Sequence, residues 1–525
     1  MRHKRRVITR GLLLAFSAAF LSAAPFDLVL LNGRIIDGTG KPPYRGAVAI
    51  RDGRIAAVGR VDGPAKKTID VKGLAIAPGF IDVHTHAENI ESHPAAKAFL
   101  RMGVTTLVLG NCGASRLDLS AYFKKLEQKG FSPNVCSLIG HGTVRRQAMG
   151  RSFMRPPNAK EMAAMKMHVD QAMRDGAVGM STGLIYIPGV FAKTDELVEL
   201  SKVVSGHGGL YVSHMRAEGP KIFAAVDEVC RIAREAKLPA HISHLTLNTK
   251  PMWGKNKLLL ARLDRARAEG IRLTHDQYAY TASSTGLRQL LPDESRAKGR
   301  DHFKKLIADP VERKKIANWM KGRLKARNRD SYSYAVIASY RHDKSYNGLN
   351  IVEAAKKRFG DDSLDRQIDF LLELEANGGA GGVFHGMNEN DARALMRNPY
   401  TMFASDSGVR VYKSGVPHPR GYGNAARFLA RYCRDQKQFP LTEAIRKQTS
   451  LPARTFKLKG RGELRVGFAA DVVVFDPAKV RDNATFTDPH QYATGFRLVL
   501  VNGEPVIEND KHNGAGPGQI IRRGK

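Results

Sequence analysis

Between residues 75 and 410 one pattern recurs along the chain. A short apolar run ends in polar residues and gives way to a stretch whose apolar positions fall at helical spacing. The runs lie at 76–83, 104–110, 135–139, 177–180, 210–213, 240–243, 271–274 and 402–405, with helical stretches such as 160–174, 195–207 and 221–235 between them. Runs this apolar suit strands buried on both faces. Eight of them alternating with helices predict an α/β fold of the (β/α)8 TIM-like barrel type. A doubly wound open sheet uses similar units, but the count of eight, and polar residues at nearly every strand end, favour the barrel. Roughly 120 residues separate the last two runs, so a helical insertion is expected at about 286–395, between strands seven and eight.

The flanks have a different rhythm. Stretches 26–36, 47–56 and 68–71 read as strands, with turn signals at Asn32-Gly33 and Asp52-Gly53. Near the other end, 471–475 and 498–501, followed by Asn502-Gly503, repeat the style. One small β-sandwich built from both chain ends, 25–75 and 456–525, is expected to bracket a catalytic barrel at 76–455.

The first residues have the layout of an export signal. Arg2, Lys4, Arg5 and Arg6 precede an apolar stretch at 11–21, and Ser22-Ala23-Ala24 offers a small-residue cleavage site. Residues 1–24 are therefore expected to be a signal peptide, with Arg5-Arg6 hinting at the twin-arginine type, and the mature chain to be periplasmic or secreted. An uncleaved anchor is the alternative, against which the apolar stretch is short for a bilayer. Net charge changes the picture further. The formal value is +34, and +29 remains without the five basic side chains of the leader. The basic residues are spread out, with no arginine-rich arm or helix-turn-helix signal, so nucleic acid is not an expected partner. A positive surface that attracts carboxylate substrates accounts for the charge. The four cysteines, at 112, 136, 230 and 433, show no framework spacing.

Chemistry gathers at the ends of the runs. His84 and His86 end the first in Asp82-Val83-His84-Thr85-His86, two residues apart, so an extended chain turns both imidazoles the same way. Neutral imidazole suits zinc and related metals. Cys112 follows the second run, His214 ends the fifth, His244 ends the sixth and Asp406 ends the eighth. Barrel active sites form at this mouth, so the set predicts a metal site. The fourth run has no lysine to be carboxylated as a metal bridge; a Cys112 thiolate, soft and anionic, can take that place. Asp406 is the candidate general base. Arg420 is chosen for a substrate carboxylate, because a guanidinium pairs with one bidentately.

These motifs, with Pro78-Gly79-Phe80-Ile81, Asn111-Cys112-Gly113, Gly140-His141-Gly142-Thr143, Ser213-His214-Met215-Arg216, Ser283-Ser284-Thr285 and Pro417-His418-Pro419-Arg420, resemble the amidohydrolase superfamily and within it the D-aminoacylase family. The likeness runs from about residue 26 to about 510. It implies zinc-dependent hydrolysis of the amide of N-acyl-D-amino acids, small-molecule substrates. It implies one zinc held tightly by Cys112, His214 and His244, and a second, weaker site at His84 and His86 with the cysteine shared. It further implies that Tyr278 and Ser284 complete the carboxylate grip, with Tyr280 near enough to exchange with Tyr278; His141, in its Gly-His-Gly turn after the third run, is expected to line the site without binding metal. The D preference enters only through the resemblance. The stretch 407–412 is longer than the compact loop of some members, which bears on pocket shape. The alternatives are another amidohydrolase reaction, on a dipeptide or cyclic amide, and a non-catalytic barrel.

Overall fold

The structure, a computed structural model, describes residues 25–524; the expected signal peptide lies outside the described residues. Eight short parallel strands make the barrel: Phe80–Asp82, Val104–Leu109, Asn134–Ser137 continued by Ile139–Gly140, Gly179–Gly183, Leu210–His214, Ala240–Ile242, Leu273–Gln277 and Thr401–Phe403. The first three pair in parallel, as do the pieces from Ile139–Gly140 through to Thr401–Phe403. The Val178 amide donates to the Ser137 carbonyl across the gap. A parallel bridge between Thr85 and Ser407, with the Asp406 amide donating to the His84 carbonyl, closes the ring. Ile81, Val108, Cys136, Val212 and Met402, from separate strands, share one buried cluster, and Phe456 and Ile521 pack onto it. The chain end thus seals the barrel: Ile520 bridges to Val135 in the third strand.

Three expectations are corrected. The first run is not one strand. Its front, Ala75–Pro78, pairs with Phe26–Ile35 and Val472–Phe475 outside the barrel, and only Phe80–Asp82 enters the ring. Gly79 makes the break possible, because a Cβ there would lie 2.2 Å from Thr105 Oγ1. The third run is likewise split, at Leu138. Lastly, the insertion is not purely helical. It carries a three-stranded antiparallel sheet of Ser283–Gly286, Gly381–Phe384 and Ala335–Ser339. Leu287, Phe303, Met320, Tyr332 and Phe370 form a core of its own beside the barrel mouth. Those strands escape a local pattern search because their pairing partners lie far apart in the chain.

The two chain ends hydrogen-bond into one nine-stranded sheet, in which Val472–Phe475 and Ala75–Pro78 form the antiparallel seam between them. Leu30, Val48, Ile76, Val472 and Leu500 cover one another in its core. Among the described residues no helix is long and apolar enough to cross a membrane.

Candidate metal centre

Five of the eight strand ends deliver side chains to a common point: His84 and His86 from the first, Cys112 from the second, His214 from the fifth, His244 from the sixth and Asp406 from the eighth. Cys112 follows Val104–Leu109 in a tight turn. Gly110 there has φ +76°, and a Cβ on it would meet the Leu138 carbonyl oxygen at 2.2 Å. The Cys112 Sγ lies 3.3 Å from His84 Nε2, 3.6 Å from His214 Nδ1 and 3.9 Å from His244 Nε2. Tetrahedral zinc, bonded to sulfur at ~2.3 Å and nitrogen at ~2.05 Å, sets S and N about 3.5 Å apart. The spacing therefore fits an ion shared by these donors. Three overlapping triads have donor atoms within 4.8 Å of one another: His84–His86–Cys112, Cys112–His214–His244 and His84–His244–Asp406.

Asp406 sits between this cluster and a cation. Its Oδ1 lies 3.2 Å from His86 Nε2 and 3.5 Å from His84 Nε2, and its Oδ2 is 2.8 Å from Arg420 Nη1. Cys112, His244 and Asp406 all hold left-handed backbone, with φ of +52°, +33° and +50°. Non-glycine residues adopt this region at a cost, and it gathers at functional sites. Here it turns three strand ends inward.

The electrostatics ask for a positive ion. Burial disfavours charge on the Cys112 thiol, yet the imidazoles of His84, His214 and His244 hold it well below its usual range. Burial likewise opposes a cation at His84, but the Cys112 thiolate, Asp406 and Asp276 push it up to about 9. His86 and His244 are raised for the same kind of reason, against burial. A buried thiolate and several carboxylates around imidazoles form a cage that a divalent metal would neutralise.

Sequence reasoning missed the residues that orient this cage. Glu218 Oε1 lies 2.8 Å from His244 Nδ1 and 3.9 Å from His214 Nε2. Asp276 Oδ1 accepts from the His244 amide at 2.8 Å, while its Oδ2 is 2.8 Å from His241 Nε2 and 3.5 Å from His84 Nδ1. Carboxylates behind ligand imidazoles fix ring orientation and raise basicity. Glu218 stands four residues after His214, a usable signal. Asp276 lies past the seventh apolar run, in a strand that continues to Gln277.

The expected substrate residues fall on one wall. The Arg420 side chain is 2% exposed; its Nη2 donates to the Ser284 carbonyl at 3.2 Å and its guanidinium lies 4.6 Å over the Tyr278 ring. Its Nε has no hydrogen-bond partner among the described residues. The Ser284 hydroxyl donates to the Gly382 carbonyl at 2.9 Å, and the residue lines the cavity. Tyr278 lines the cavity, whereas Tyr280 packs under Arg427 and against His418, so the two do not exchange. His141 does not line the site as expected: it is wholly buried, with Nε2 2.7 Å from Glu196, and Gly142 and Thr143 form the wall in its place.

Two spaces meet at Asp406, Tyr186 and Ser284. One, of about 790 Å³, opens past His86, Cys112 and Arg420; the other, about 90 Å³, runs from His214 and His244 toward the insertion.

Comparison with known proteins agrees with this layout. A model of the amidohydrolase family matches residues 67–507. The D-aminoacylase of Alcaligenes xylosoxydans xylosoxydans is 34% identical over 524 residues, 95% of this chain and 98% of that protein. A crystal structure of N-acyl-D-glutamate deacylase from Bordetella bronchiseptica, with zinc and a phosphonate mimic of the tetrahedral intermediate, superposes with TM-score 0.81 at 32% identity over 95% of this chain and all of that one. A D-aminoacylase structure described by its binuclear metal centre, with one-metal activation and second-metal attenuation, gives 0.81 at 33% over the same shares. By sequence, fold and the residues gathered at the barrel mouth, the chain belongs to the amidohydrolase family, in its D-aminoacylase branch.

Proposed function

We propose that this protein is a zinc-dependent deacylase that hydrolyses N-acyl-D-amino acids to a carboxylate and a free D-amino acid. The observation that carries the reading is Asp406, placed between the histidine–cysteine cluster and Arg420. In an α-amino acid only the α-carbon and the carboxyl carbon separate the nitrogen from the carboxylate oxygens, roughly 2.7–3.6 Å. A group that protonates the leaving nitrogen must therefore neighbour the group that grips the carboxylate.

Zinc, when bound, supplies Lewis acidity that makes water nucleophilic near neutral pH and draws electrons from the amide carbonyl. Asp406 takes the proton of the attacking water and returns it to the departing amine. Burial opposes its charge, but Arg420 and His84 hold its carboxyl well below the usual range, so it stands ionised. Arg420 pairs with the substrate carboxylate from the side of its unpartnered Nε, with Tyr278 and Ser284 lining the pocket beside it. Cys112, His214 and His244 would hold the tight ion, with Glu218 behind them. His84 and His86, sharing Cys112, would hold the weaker one; the His86 side chain is 36% exposed while that of His244 is 4% exposed, which favours that order. Opening of a cyclic amide presents no free carboxylate to Arg420, and the fourth strand, Gly179–Gly183, brings no lysine. The leader pattern at 1–24 supports export before or after folding.

The test is amine release from paired N-acetyl-D- and N-acetyl-L-methionine by zinc-loaded protein. Turnover of the D form alone is expected; turnover of neither, with zinc bound, would remove this substrate class.

A further inference from the structure

The narrow space beside the metal centre ends in two cations. Its metal end is formed by His214, Glu218, His244 and Asp406, and its far end by Arg323 and Arg327 of the insertion, with Tyr334 and Gln289 near them. Arg323 lies in the helix Pro310–Ala326 and Arg327 caps it, one turn on. Neither side chain makes an ion pair or hydrogen bond to a described residue; that of Arg323 lies over Trp319, 5.0 Å from the ring centre.

Several other arginines of the insertion are paired with acids. Arg288 faces Glu375, Arg296 faces Asp293, Arg313 faces Asp369 and Arg358 faces Glu373. Asp293, which does act on Arg323 through space, is already taken by Arg296. A helix C-terminus favours basic residues, which accounts for a cation there. It does not account for two like charges spaced i, i+4, which repel, turned into one slot beside a reaction centre. Burial and the neighbouring Arg327 disfavour the charge of Arg323, pushing it down to about 10 against the weaker pull of Asp293 and the nearby tyrosines. The carboxylates that line the slot, Glu218 and Asp406, are at its opposite end and occupied by His244 and Arg420.

We infer that Arg323 and Arg327 receive a second carboxylate of the substrate, so that the enzyme prefers N-acyl-D-amino acids carrying an acidic group beyond the one Arg420 binds. This rests on the deacylase reading of the site. The second carboxylate can come from the amino-acid side chain or from a dicarboxylic acyl group. The net charge of +34 works in the same direction, by drawing in dianions.

The experiment compares kcat/KM for N-acetyl-D-glutamate, its neutral isostere N-acetyl-D-glutamine, N-acetyl-D-leucine and N-succinyl-D-leucine. A preference of tenfold or more for glutamate over glutamine places the carboxylate on the side chain; the same preference for succinyl- over acetyl-D-leucine places it on the acyl group. In Arg323→Gln and Arg327→Gln the favoured ratio should fall to within about threefold, which general damage to the fold would not produce. The inference is overturned if neither acidic substrate is preferred, or if the ratio survives both substitutions. Failure to hydrolyse N-acetyl-D-leucine, N-acetyl-D-glutamine and the acidic substrates alike would overturn the deacylase reading itself.

Discussion

Replacing Arg420 by alanine separates two jobs that one guanidinium performs. In the resting site its Nη1 lies 2.8 Å from Asp406 Oδ2, and its Nε is unpartnered in a side chain 2% exposed. A substrate carboxylate arriving there gains two charge-assisted hydrogen bonds in a nearly dry pocket. At roughly 1.5 kcal/mol each, these amount to about 3 kcal/mol, or around 10²-fold in kcat/KM. Truncation also leaves Asp406 buried without its counter-charge, a loss that falls on every substrate. The two effects separate by comparing N-acetyl-D-methionine with N-acetyl-D-methioninamide, which lacks the carboxylate. The native enzyme should favour the acid by about 10²-fold, and Arg420→Ala should bring that ratio near unity while lowering both rates. Arg420→Lys, which keeps charge but loses the planar fork, should recover only part of it. The reasoning is refuted if the alanine variant retains the native acid-to-amide ratio, since the carboxylate would then be bound elsewhere.

Other outcomes follow from the same geometry. Asp406→Asn should lower kcat by about 10²–10⁴-fold, the usual worth of a general base, with zinc content by atomic absorption unchanged. Glu218→Gln should weaken zinc about 10–100-fold in a competition with a chelating dye, because Glu218 orients His244 from 2.8 Å. Lys447 is a buried ammonium whose Nζ donates to the Met396 and Asn398 carbonyls, both at 2.5 Å, and burial pushes it down to about 7. Between that value and its unfolded value of about 10.4 the unfolded chain binds more protons, so this group's stability contribution is full above the upper limit and lost as pH falls through about 7. The stability difference between native protein and Lys447→Met, from denaturant melts at pH 6.5 to 9.5, should therefore shift toward the native protein as pH rises; a pH-independent difference would contradict it.

The barrel was legible because a parallel strand buried on both faces leaves an apolar run, and eight such runs stand out against helices. The side chains proposed to bind metal were legible for the related reason that each ends a run or follows one closely. What escaped is set by contacts distant in sequence. The break at Gly79 depends on Thr105 approaching from the next strand. The insertion sheet pairs Ser283–Gly286 with Gly381–Phe384 across nearly the whole insertion. Asp276 and Glu218 matter only through imidazoles brought to them by other strands. His141 read as a site residue from its Gly-His-Gly turn, but the buried Glu196 of a following helix draws it behind the wall. The left-handed backbone at Cys112, His244 and Asp406 has no sequence signature, since none of the three is glycine.

The most direct measurement is amine release from N-acetyl-D- and N-acetyl-L-amino acids of matched side chain, with zinc counted per chain, for the native protein and Cys112→Ala. The account predicts hydrolysis of the D forms alone, with zinc and turnover lost together in the variant, since Cys112 Sγ is the donor that the two first triads share. A Cys112→Ala protein that still binds zinc tightly and cleaves the D substrates would contradict it.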